Sequence, residues 1–104
     1  MREVVILVTL MISFSKHAAE KVKERKISEV TLRTVLEGPE ARFYDISSGA
    51  EVAYKEVNQH GVSLILVVVF RRRDDVCHIV TAYPIKDVKD EIERKVKIGR
   101  WIPI

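Results

Sequence analysis

Cysteine is nearly absent. Cys77 stands alone in 104 residues, so no internal disulfide can form and a reducing compartment, the cytoplasm, is the simplest expectation. Asn58 and Gln59 are the only amides, beside 18 Lys and Arg and 15 Asp and Glu. That balance resembles a thermophile composition. Only four Gly and three Pro occur, and no low-complexity tract or repeat interrupts the chain. There is no glycine-rich phosphate loop, so nucleotide hydrolysis has no visible machinery. There is no Cys pair, no H-E-x-x-H and no aspartate cluster, so neither a metal nor another cofactor is expected. No apolar run approaches the roughly 20 residues of a membrane helix, and no membrane is expected among the partners. The longest candidate, Val4 to Ile12, is rich in β-branched residues and reads as a strand. A targeting segment, or a chain that starts at Met11, are the alternatives.

What is present suits one globular domain: 47% hydrophobic and 32% charged residues, and a net charge of +3 that permits a polyanionic partner without demanding one. Ser15 is placed to cap a helix running to about Lys26, with Ala18, Val22 and Ala19 inward. Ser28 caps a second helix whose apolar side is Val30, Leu32, Val35 and Leu36, stopped by Gly38-Pro39. From Ala41 four strands follow, "ARFYDI", "EVAYKEV", "VSLILVVVF" and "VCHIVTAY", separated by short turns that favour an antiparallel meander. Val62 to Phe70 is apolar on both alternating sides apart from Ser63, and is expected to be a central strand covered on both sides, or on one side by a partner. A last helix carries Val88, Ile92 and Val96 at spacing four and ends near Gly99, with Asp90/Arg94, Glu91/Lys95 and Glu93/Lys97 as supporting pairs. Trp101 and the final Ile-Pro-Ile are expected to fold back on the core or meet another chain. The expected fold is thus a single α+β domain over 1–104: strand, two helices, four-stranded meander, helix. Its parts are an N-terminal strand or extension over 1–11 and a C-terminal helix over 87–98.

The chemistry-bearing candidates begin on the first helix. His17, Lys21 and Arg25 recur at spacing four and therefore share one stripe. Such a stripe can hold phosphates, Arg25 in bidentate fashion, while His17 moves a proton near neutral pH. The plainer reading is a solvated helix face. Arg71, Arg72 and Arg73 look like a phosphate patch, yet Asp74 and Asp75 follow at once, and a solvated turn with partly cancelling charge is the plainer reading there. Cys77 and His78 read as structural strand residues, and His60 as a turn residue.

The segments "FSKHAAEKVKERKISEVTLRTVLEGPE", "EVAYKE" and "HIVTAYP" together resemble family 4258 of the domains of unknown function, over about residues 12–86. His17, Ala18, Arg25 and Ile27 match its first motif, and Thr81, Tyr83 and Pro84 its last. Lys21 stands where that family usually has Arg, and Lys26 where Gly is usual. The resemblance implies a fold like the RelE and BrnT toxins, and with it metal-independent RNA cleavage. In that scheme His17 transfers the proton, Lys21 and Arg25 stabilise phosphorane charge, and Tyr83 binds a phosphate or a base. Tyr54, Lys55 and Arg71 are the accompanying RNA-binding candidates. RNA or the ribosome, an antitoxin protein and a second copy of the chain are the implied partners. The alternative is a module that binds RNA or protein without catalysis.

Overall fold

The computed structural model describes residues 10–104. Six strands and three helices form among them. They are β1 (Met11–Phe14), α1 (Lys16–Glu24), α2 (Glu29–Glu37), β2 (Ala41–Asp45), β3 (Ala50–Gln59), β4 (Val62–Arg73), β5 (Val76–Ile85), α3 (Val88–Lys97) and β6 (Trp101–Pro103). The class is α+β, but the sheet has one strand more than the sequence pattern suggests. Its order is β1-β5-β4-β3-β2-β6. β2 to β5 pair antiparallel with their chain neighbours, β1 joins β5 in parallel, and β6 joins β2 antiparallel. Of the strand expected over Val4 to Ile12, residues 4–9 lie outside the described residues, and Met11 and Ile12 fall in β1.

The helix starts follow from the chain. The Ser15 hydroxyl accepts the Ala18 amide at 3.0 Å, and that of Ser28 accepts the Thr31 amide at 3.1 Å. The end of α1 is a Schellman motif: the Ile27 amide reaches the Val22 carbonyl at 3.0 Å, and Lys26 adopts φ 55°. Ile27 and Val22 meet in the core at that corner. α2 stops at Gly38-Pro39 as expected, with Gly38 at φ −141°. Ala19 and Val30, expected inward, are exposed. α3 ends as expected, with Gly99 at φ 74°. Its ion pairs differ from expectation: Arg94 meets Glu91 at 2.6 Å and Lys89 approaches Glu93 at 4.0 Å.

α1 lies over β5 and β1, and α2 over β3 and β4. Together they cover Leu66, Val68, Phe70, Cys77, Ile79 and Ala82. α3 crosses the other face, where Phe43, Val52, Val67, Val69 and Trp101 form a second core with Ile92 against it. Leu66 to Phe70 are buried without interruption, as a central strand covered on both sides requires. Each such side chain contributes about 1.5–3 kcal/mol on burial. Trp101 folds back, its ring 5.5 Å from that of Phe43.

One irregularity decides which face a key residue takes. Val69 pairs with Thr81 but Phe70 pairs with Ile79, so Val80 is an extra residue in β5. Before the bulge, odd-numbered Cys77 and Ile79 face α1 and α2. After it, Ala82 does, and Tyr83 and Ile85 turn to the α3 side.

Candidate nucleic-acid interface

The α1 stripe is not an assembled site. His17 is exposed on the first turn of α1. Lys21 is half-buried and its ammonium meets Glu24 at 3.4 Å. Arg25 is spent on structure. β1 ends opposite Ile79, which leaves the outer edge of β5 unpaired beyond that point. Ser15 covers its first part, donating its amide to Ile79 at 2.9 Å and its hydroxyl to Val80 at 3.3 Å. The Arg25 guanidinium covers the next, donating to the Ala82 carbonyl at 2.5 Å.

Tyr83 does not join them. The bulge places it on the α3 face, where burial first, and then the negative charge of Glu91, push its phenol up to about 12. A phenol so hard to ionise is a poor proton shuttle near neutrality. Tyr54 lies on the same face, stacked on Phe43 at 6.4 Å. Lys55 donates to the Gly38 carbonyl at 2.8 Å and so ties β3 to the end of α2. Of the seven candidates read from the sequence, Arg71 borders a recess that carries further charged residues.

That recess, of about 420 Å³, lies at the end of the sheet where β4 finishes and β3 begins. Tyr44, Gly49, Glu51, Arg71, Arg72, Arg73 and Ile104 line it. The Glu51 carboxylate accepts from Arg42 at 3.2 Å and from Arg72 at 3.4 Å, and Arg72 also lies 5.6 Å from the centre of the Phe70 ring. Arg71 donates to the Ser48 carbonyl at 2.8 Å. Arg73 has no ion-pair partner among the described residues. Three arginines against one glutamate give the lining side chains a formal balance of +2. Asp74 and Asp75, which cancel this charge in the sequence, occupy the turn beyond Arg73, with Asp74 at φ 55°. They do not line the recess.

The loop that supplies Ser48 and Gly49 hangs on Asp45, which is 4% exposed. Its carboxylate accepts the Ser47 amide at 2.9 Å and the Ser48 amide at 3.4 Å, and meets Arg100 at 3.4 Å. Burial alone would raise its pKa. The Ser47 amide, the Arg100 charge and the Ser48 amide outweigh burial and hold it below the usual carboxylate range.

The sequence offered a signal for the arginines but none for Tyr44, Glu51 or Ile104, which come from separate strands and the chain end. Cys77 is fully buried, and burial pushes its thiol up. His78 bonds Ser13 across the β1–β5 pair at 2.8 Å. Among the described residues no three His, Cys, Asp or Glu side chains come together as metal ligands, and no helix is long and apolar enough to cross a membrane. A larger recess of about 740 Å³, lined by Val62, Leu64, Ile65, Ile85 and Val88, opens at the other end of the sheet beside the start of α3. No family model, no curated protein and no solved structure matches this chain.

Proposed function

We propose that this protein is an RNA-binding module whose contact surface is the arginine recess. One observation carries the reading: Arg71, Arg72 and Arg73 border a single concavity together with an exposed tyrosine. Arginine forks match phosphate oxygens, and an aromatic wall suits a base. The net charge of +3 adds weak long-range attraction for a polyanion. This keeps the substrate class that the resemblance to family 4258 implies and sets its chemistry aside. Cleavage needs a base, an acid and cations around one phosphate. Arg25 is committed to Ala82 and Tyr83 faces the other way, so His17 and Lys21 are left without the rest of that set.

The test is fluorescence anisotropy with labelled RNA over a range of salt. Wild-type protein binds, and affinity falls with salt, by about 0.7 in the logarithmic slope for each single-strand phosphate contact. Arg73→Ala weakens binding without unfolding the protein, and the triple arginine-to-alanine variant loses it while its circular dichroism is retained. No binding by wild-type protein, or full binding by the folded triple variant, contradicts the proposal. Incubation with RNA and EDTA is the companion assay: cleavage abolished by His17→Ala restores the RelE-like reading.

A further inference from the structure

We infer that the recess takes single-stranded RNA, with Tyr44 as the platform on which one base stacks. This rests on the RNA-binding reading above and names the form of RNA it selects.

The platform exists because the helices stop short. α1 and α2 lie over β1, β3, β4 and β5, and β2 and β6 continue the same face beyond them. Tyr44 on β2 sits directly opposite Glu51 on β3 and Ile102 on β6, so all three share that face. Tyr44 is 42% exposed, Ile102 44% and Ile104 61%. A large ring left in water at the edge of a recess is unusual in a chain with only seven aromatic residues, of which Phe43, Phe70 and Trp101 are buried. Gly49 adjoins the ring: a Cβ at that position would make an ordinary contact with the Tyr44 hydroxyl at 3.7 Å. Its φ of 70° also disfavours any other residue there.

The recess thus offers an aromatic wall at Tyr44, an apolar flank at Ile104, and the Arg72 cation, which Glu51 holds on the same face as Tyr44. Arg71 and Arg73 alternate to the other side of β4 and border the recess from the strand end. Its volume falls near the lower end of small-ligand sites, which run from about 300 to 1,000 Å³. That is room for one nucleotide splayed out of its strand. A duplex keeps its bases stacked inside and presents a shallow minor groove, which a concave recess cannot follow.

The experiment compares labelled polyuridine with a self-complementary RNA duplex, by anisotropy at one salt concentration. It uses the full chain and its Tyr44→Phe, Tyr44→Leu and triple arginine variants, each checked for folding by thermal melting. Expected is a preference of about tenfold or more for the single strand, lost in Tyr44→Leu and kept in Tyr44→Phe, because stacking on an aromatic ring is worth roughly a tenfold change per base. Equal affinity for duplex and single strand, or a Tyr44→Leu variant that binds as wild type, overturns the inference. In that case loss of binding in the triple arginine variant leaves the RNA-binding reading standing. Binding of neither RNA by wild-type protein overturns both.

Discussion

Arg25 donates from Nη1 to the Ala82 carbonyl at 2.5 Å, joining the last turn of α1 to the unpaired edge of β5. The sequence motif alone suggests a place for this arginine in phosphoryl chemistry. The geometry gives it the work of a missing strand. An open strand edge leaves carbonyls and amides without partners, and here one charged side chain satisfies the position that β1 is too short to reach. Arg25→Ala is expected to cost about 1.5–3 kcal/mol, the range for a lost hydrogen bond to a charged group. Urea titration followed by circular dichroism measures it. RNA affinity, measured where the variant remains folded, stays within about twofold of wild type, because Arg25 is remote from the arginine recess.

Lys26 carries the next expectation. It closes α1 at φ 55°, a conformation that costs a residue with a Cβ about 1–2 kcal/mol. Its side chain is exposed and makes no ion pair among the described residues. Lys26→Gly therefore stabilises the fold, by about 1 kcal/mol after the added freedom of the unfolded chain is counted. A shift of the urea midpoint upward, with an unchanged slope, is the expected readout.

Asp45 links acid stability to the recess. Its pKa is depressed in the fold, so its carboxylate stabilises the native state above the ordinary carboxylate range near 3.8. That contribution is lost as pH falls through the depressed value. Asp45→Asn is thus expected to cost about 1–3 kcal/mol at neutral pH and to converge with wild type under acid conditions. The same substitution loosens the loop that offers the Ser48 carbonyl to Arg71, and RNA binding weakens with it. Unfolding curves at several pH values check the first effect, and anisotropy the second.

Tyr83 separates the two functional readings. Its ring lies on the α3 face with the second core. Tyr83→Phe should leave RNA affinity unchanged and should remove the tyrosine that titrates near 12 in an ultraviolet pH titration. A loss of RNA binding or of RNA cleavage in this variant would return Tyr83 to the site.

Much of this fold could be read in the chain because its signals are local. Ser15, Ser28 and Gly99 mark helix ends with their own side chains or backbone, and the strands of the meander alternate visibly between short turns. β6 carried too few residues to show a period: Trp101, Ile102 and Pro103 look like a tail until they pair with β2. The bulge at Val80 left no mark either, since no glycine announces it, and it alone moves Tyr83 from the α1 side to the α3 side. The recess was legible only in part. In "RRRDD" opposite charges stand side by side and cancel on paper, whereas the hairpin turn carries the aspartates past the end of β4 and leaves the arginines at the concavity. Tyr44, Glu51 and Ile104 reach it from distant parts of the chain, at a separation that no periodicity records.

The most direct measurement is the salt dependence of RNA affinity for wild-type protein and for the Arg71, Arg72 and Arg73 triple alanine variant. The account predicts binding by wild type, a negative slope of log affinity against log salt, and a slope nearer zero by about 0.7 for every phosphate contact the variant gives up. Identical affinity and slope for the two folded proteins would contradict it.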